Sequence, residues 1–250
     1  MFNLFRSKPE VVKSGDNSGL PKINLNIPAK DLPLKTLTAQ EVAETVKKRM
    51  EVIQKELVDG FSFVQNYPKS VTFFGSARLP ETDPHYKQAQ RLAGLLAKEG
   101  YAVITGGGPG IMEAGNRGAS EAGGDSLGLT IKLPMEQCTN PYVTDHEDFF
   151  YFFTRKVCMT YSSEAFVYFP GGFGTLDELF EILTLVQTKK IPWVPIILVG
   201  IDFWQPLTQW IDAELCRKFK TIDAEDTDLY HLFDDEQMVV DLIKEVPVRS

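Results

Sequence analysis

Three cysteines in 250 residues, Cys138, Cys158 and Cys216, are odd in number, far apart and in no CxxC pair. That argues against a disulfide framework or a zinc ribbon and points to a reducing cytoplasm. Histidine is equally scarce: His85, His146 and His231 share no ligand spacing, so no metal site is expected. Basic residues are outnumbered, 26 Lys and Arg against 34 Asp and Glu, for a net charge of −8 and a pI near 5.0. A nucleic-acid-coating face needs the opposite balance, although a local anion site remains open. Long apolar runs are missing too. The most apolar stretch, IPWVPIILVG, is short and broken by proline, and MFNLFRSKPE does not read as a secretory signal, so no membrane partner is expected.

The common nucleotide and hydrolase signatures are also lacking. GxxxxGK[ST] is absent, which disfavours a P-loop ATPase, and there is no GxSxG elbow for a hydrolase serine. The GxGxxG register fails: counted from Gly106 its last position is Ile111, and from Gly108 it is Glu113. LTIKLP carries Lys132 where a dinucleotide fold would place a ribose-binding acid, so a mononucleotide fits better.

What is present is a rhythm. Residues 1–36 mix Lys, Gly, Asn and Pro without periodicity, as a flexible arm does. Residues 37–67 read as an amphipathic helix, with a Thr38–Glu41 capping box and a stripe of Val42, Val46, Met50, Ile53 and Leu57 that packs on the main domain or on a partner. From residue 68 to 250, apolar runs at 71–77, 101–108, 126–134, EAFVYFPGG, 195–200 and LYHLF alternate with helical patterns. The expected class is α/β: a Rossmann-like, doubly wound parallel sheet with an N-terminal helical extension.

Three of the runs end in glycine-rich turns, FFGSAR, TGGGPGIMEAG and FPGGFGTLDE. At the carboxyl ends of parallel strands such turns let backbone N–H groups reach a phosphate at a helix N-terminus. The alternative is that the glycines only make tight turns. Thr175 and Glu178 have the spacing of a capping box, yet an acid beside a phosphate loop also suits a sugar whose anomeric carbon becomes cationic. Arg155 and Lys156 are either a solvated pair or, for Arg155, a planar fork for phosphate or a base edge. Arg78 is a candidate anion or ribose contact, and Glu113 is divided between helix-end charge and a second site acid. Contacts to the base are expected from the loops around Met112 and Asn140.

PGGFGTLDE (170–178), TRK (154–156), GGGPGIMEA (106–114) and FFGSAR (73–78) resemble, in order and spacing, the LOG ("Lonely guy") family, whose members have often been labelled lysine decarboxylases. The resemblance spans about residues 68 to 245 and is to a longer bacterial branch, with an N-terminal extension and a GGGPGIMEAG segment that departs from the shorter plant-like form. It implies hydrolysis of the N-glycosidic bond of nucleoside 5′-monophosphates, AMP-like or cytokinin riboside monophosphates, to free base and ribose 5-phosphate. No cofactor is implied, and the assembly would be a cytoplasmic homodimer or higher homo-oligomer. Arg155 and Glu178 match the catalytic pair, and Gly171, Gly172, Gly174 and Thr175 match the phosphate loop. The wider substrate set expected is Gly75, Ser76, Arg78, Gly107, Gly108, Gly110, Met112, Glu113 and Lys156. The fold also resembles molybdenum-cofactor carriers and the nucleotide-binding core of DNA-processing proteins, so a non-catalytic binder is the alternative. No pyridoxal-phosphate lysine context supports a decarboxylase.

Overall fold

In the computed structural model, residues 38–131 and 139–246 are described. The expected arm at 1–36 and the segment containing Lys132 and Cys138 lie outside them. Contacts divide the chain into two units, Met1–Val42 and Ala43–Ser250, and the whole sheet belongs to the second.

Seven strands form one parallel sheet in the order β4-β3-β2-β1-β5-β6-β7. They are β1 (Ser70–Phe74), β2 (Ala102–Thr105), β3 (Ser126–Ile131), β4 (Asp145–Phe149), β5 (Ala165–Tyr168), β6 (Ile196–Val199) and β7 (His231–Phe233). The helices are α1 (Ala39–Gln65), α2 (Pro84–Lys98), α3 (Ile111–Glu121), α4 (Phe152–Ser162), α5 (Phe173–Gln187), α6 (Ile201–Trp210), which runs on as a π-helix over Ile211–Lys218, and α7 (Glu236–Glu245). Every pairing is parallel.

The central strands β1, β2, β5 and β6 are buried along their whole length because both faces are covered. Val71, Phe73, Val167 and Phe169 face the core under α2, α3 and α7. Their neighbours Phe74, Phe166 and Tyr168 face the opposite core, with Cys158 and Met159 of α4, Leu179 and Ile182 of α5, and Trp204 of α6. The period-2 alternation of a strand thus feeds two layers from one run.

β4, DHEDF, is the strand that hydrophobic patterning did not reveal. It is the sheet edge, paired with β3 from Leu127↔Asp145 to Ile131↔Phe149, and only Phe149 is fully buried. The stripe of α1 also departs from expectation. Ile53 and Leu57 are partly covered and Val64 is buried, but Val46 and Met50 are exposed. Among the described residues no helix is long and apolar enough to cross a membrane.

Candidate active site

The sheet order reverses between β1 and β5: β1 leads outward to β2, β3 and β4, and β5 to β6 and β7. The loops leaving these two strands must diverge, and the crevice between them is where ligands bind in open α/β sheets. Here the crevice is a cleft of about 1150 Å³. Its walls come from Gly75–Leu79 after β1, Pro170–Leu176 after β5, Gly106 and Met112 beside β2, and Arg155 and Glu178 from α4 and α5.

Ser76 ties the loops together. Its N–H donates to Pro170 O at 3.0 Å, and its carbonyl accepts from Ile111 N at 3.0 Å, the first residue of α3. Gly110 caps α3 at φ +69°, and a Cβ there would overlap the Ser76 carbonyl. Only glycine serves at that position.

α5 begins at Phe173 with Gly172 as N-cap and no side-chain cap, and its first turn holds no acid. Its first N–H groups are therefore available to an anion. A Cβ on Gly172 or Gly174 would meet nothing within 4 Å, so these glycines leave the approach open. Thr175 is then the third helical residue and Glu178 the sixth. The capping-box reading of Thr175 and Glu178 fails on this register, and Glu178 sits in the second turn rather than the first. It lies about 7.5 Å along the axis from Phe173, at 1.5 Å per residue.

Arg155 projects from the first turn of α4 and is buried, 9% exposed. The solvated-pair reading therefore does not hold for it. Its Nη2 lies 3.7 Å from Glu178 Oε1, its guanidinium stands 5.4 Å from the centre of the Phe152 ring, and its buried Nε has no hydrogen-bond partner among the described residues. At 3.7 Å the pair attracts without being hydrogen-bonded, so each partner keeps capacity for a ligand. Burial pushes the Glu178 carboxyl up to about 7, against the opposing pull of Arg155, and burial also lowers Arg155 below the usual guanidinium range. A carboxyl that titrates near neutrality in a cleft is suited to acid–base or charge-stabilising work.

Of the expected site residues, Gly75, Ser76, Arg78, Met112, Arg155, Gly171, Gly172, Gly174, Thr175 and Glu178 line the cleft. Five do not. Gly107 and Gly108 have their backbones engaged: Gly107 N–H donates to Thr105 Oγ1, and Asn140 donates to both carbonyls. Asn140 is itself buried in this role, bonded also to Asn116, and is not among the cleft residues. Gly110 acts through the α3 start, and Glu113 accepts from the Tyr86 hydroxyl at 3.0 Å. Lys156 is tied to Asp177 at 2.9 Å and Glu181 at 2.8 Å.

Several lining residues escaped sequence reasoning: Gly106, Phe152, Phe203, Asp83 and His85. A Cβ on Gly106 would stand 3.2 Å from Arg155 Nη1 and 2.9 Å from Met112 Sδ. Asp83 N-caps α2 by accepting from His85 N, and His85 Nδ1 lies 3.2 Å from the same carboxylate. The Asp83-Pro84-His85 run carried a helix-start signal that would have placed these two at the cleft edge. Among the described residues no group of three or more His, Cys, Asp and Glu is arranged to hold a metal.

A family model described as "Possible lysine decarboxylase" matches residues 112–243. The chain belongs to this family, the LOG family of the sequence resemblance. A rice (Oryza sativa subsp. japonica) protein named cytokinin riboside 5′-monophosphate phosphoribohydrolase LOG is 31% identical over 140 residues. That match takes in 54% of this chain and 57% of the rice protein, so the chain matches little more than half that relative's length. A Rhodococcoides fascians cytokinin riboside 5′-monophosphate phosphoribohydrolase is 27% identical over 158 residues, 62% of this chain and 79% of its own. Among solved structures, a molybdenum cofactor binding protein from Rippkaea orientalis superposes with a TM-score of 0.52 at 22% identity, over 70% of this chain and 94% of that one. The molybdenum cofactor carrier protein of Chlamydomonas reinhardtii gives 0.53 at 22% identity, over 71% and 97%. These structural likenesses establish the shared fold.

Proposed function

We propose that this chain hydrolyses the N-glycosidic bond of nucleoside 5′-monophosphates, of the AMP or cytokinin riboside monophosphate kind, releasing free base and ribose 5-phosphate. The observation that carries the reading is the buried Arg155–Glu178 pair, set beside the uncapped N-terminus of α5 in the switch-point crevice. The relatives named phosphoribohydrolases support it.

The 5′-phosphate is bound by the N–H groups at the start of α5, where Gly171, Gly172 and Gly174 admit it and the helix dipole favours it. Glu178, about 7.5 Å further along the helix, then faces the ribose. As the C1′–N bond breaks, its electron pair leaves on the base nitrogen and C1′ becomes oxocarbenium-like, a charge that the Glu178 carboxylate stabilises. The same carboxylate positions a water whose oxygen bonds to C1′, and the released proton is transferred to the departing base. Arg155 orients the phosphate or polarises the base through its planar fork. The protein works as a homodimer or larger homo-oligomer, a reading supported by the exposed Phe152, Phe153, Val157 and Tyr161 on α4 and testable by light scattering.

A carrier of the same fold is the second reading, favoured by the two molybdenum-cofactor proteins that share it. A carrier needs the glycines but has no use for a buried acid whose ionisation falls near neutrality. Among the described residues no lysine lines the cleft, as a decarboxylase would need. Burial works to lower the Lys156 ammonium, but its hydrogen bonds to Glu181 and Asp177 prevail and raise it above the usual lysine value, away from Schiff-base chemistry. Chromatography of the protein incubated with AMP, GMP, CMP, UMP and isopentenyladenosine monophosphate, with Glu178→Gln in parallel, tests the proposal. Base and ribose 5-phosphate released by the wild type alone support it; binding without release from any substrate transfers the assignment to the carrier.

A further inference from the structure

α4 begins without a cap of its own. Its N-cap residue, Tyr151, offers no side-chain hydrogen bond, although Arg155 lies in the first turn. The cap comes from α1, a segment 95 residues away in sequence. The Glu56 carboxylate accepts from Phe150 N at 2.5 Å, from Tyr151 N at 3.4 Å and from the Thr154 hydroxyl at 2.6 Å. Glu56 is 8% exposed and Thr154 fully buried, so water does not compete for these bonds.

The bonds reach Arg155 in two steps. The Thr154 hydroxyl also lies 2.8 Å from Tyr151 O, and that carbonyl accepts the Arg155 N–H at 3.3 Å. Glu56, Tyr151, Thr154 and the Arg155 backbone thus form one connected network at the start of α4, and the Arg155 guanidinium rests beside Phe152 of the same turn. α1 is held close enough for this by Gly60, where a Cβ would stand 2.6 Å from Cys158 Sγ of α4 and 2.8 Å from Phe149. Arg49, on the same helix, places its guanidinium 5.9 Å from the Tyr151 ring centre.

We propose that Glu56 is a positioning residue for Arg155: through the capped first turn of α4, the N-terminal helix α1 fixes where the guanidinium stands in the cleft. The inference rests on the role of Arg155 in the proposed hydrolysis. It assigns α1 a part in the chemistry rather than only in packing. Glu56 acts by geometry, since the charge that perturbs Arg155 is that of Glu178.

Glu56→Ala, Glu56→Gln and Thr154→Val test it. In Glu56→Gln the amide oxygen can still accept from Phe150 N and the amide N–H can donate to the Thr154 hydroxyl, whose own proton goes to Tyr151 O, so that only the long 3.4 Å bond from Tyr151 N is lost. The expected result is a fall in kcat of about 10–100-fold for Glu56→Ala with KM within about threefold, as for a misplaced catalytic group. Glu56→Gln should stay within about fivefold of wild type. A purely structural role would lower the folded fraction and leave kcat per folded molecule unchanged.

A second readout needs no activity: the titration midpoint of the Glu178 carboxyl carbon, followed by NMR. Burial does most to raise this midpoint; Arg155 and Lys156 of α4 hold it down, while Asp177 and Glu181 of α5 push it up. Displacing Arg155 removes its pull and opens the carboxyl to water, so the midpoint should move away from the wild-type value in Glu56→Ala and stay near it in Glu56→Gln. An unmoved midpoint with wild-type kcat in Glu56→Ala overturns the proposal. Should Glu56→Ala fail to fold, Thr154→Val decides in the same way, because it removes only the hydroxyl link. If no substrate is hydrolysed by the wild type, the functional reading falls and the midpoint alone judges the positioning role.

Discussion

Replacing Glu178 by glutamine should make the protein's stability less dependent on pH, by an amount that the burial of this carboxyl sets. An exposed or unfolded glutamate ionises near 4.5, whereas in the fold burial holds Glu178 at about 7. Between those values the folded chain keeps a proton that the unfolded chain has lost, so stability falls as pH rises across the window and levels off above it. The gap corresponds to about 3 kcal/mol, at about 1.4 kcal/mol per pH unit. The glutamine variant has no such proton. Every other titratable group is present in both proteins, so its contribution largely cancels in the comparison. Urea unfolding at pH 4 and pH 8.5 measures the effect as a difference of differences: relative to wild type, Glu178→Gln should gain about 3 kcal/mol over that interval. For a chain of this size that is a relative Tm shift of about 6–12 °C. Parallel stability–pH curves for the two proteins would refute the burial argument, and with it the claim that the cleft holds a desolvated acid.

The same titration should govern rate. If Glu178 works as a carboxylate, kcat/KM rises with pH through about 7 and flattens above, and a profile that instead falls through this range would show that the protonated form is the active one. Gly172→Ala and Gly174→Ala meet no neighbour, so stability should change by less than about 1 kcal/mol while KM for the nucleotide rises at least about tenfold; unchanged KM would remove the phosphate from this loop. Gly110→Ala should cost about 3 kcal/mol or more in denaturant unfolding, since the residue has positive φ and its Cβ would overlap the Ser76 carbonyl. Arg155→Lys should lower kcat/KM by about 100-fold or more, because an ammonium cannot reproduce the planar fork, whereas Lys156→Met should stay within about threefold. A steady-state comparison of the two variants that reversed this order would exchange their roles.

Central strands and glycine turns were legible in the chain because their causes are local. A strand covered on both faces reads as a mostly apolar run rather than an alternating one, so β1, β2, β5 and β6 announced themselves. The edge strand β4 did not, because DHEDF buries only Phe149 and its place is fixed by pairing to β3. The glycines of 171–174 likewise marked a helix start, yet the residue at which α5 begins decided that Thr175 and Glu178 are no capping box.

By itself, the sequence determined the α/β rhythm, the loops that meet at the carboxyl ends of the strands, and the family through its PGGFGTLDE and TRK segments. Only the tertiary structure decided which of those loops share a crevice, because that depends on the reversal of strand order between β1 and β5. It also separated Arg155 from Lys156. Adjacent residues on a helix point about 100° apart, and packing turns the first into the cleft against Glu178 and the second out to Asp177 and Glu181. The role of Glu56 belongs wholly to the fold, since nothing in a chain of residues tells a mid-helix glutamate that it will cap another helix 95 residues later.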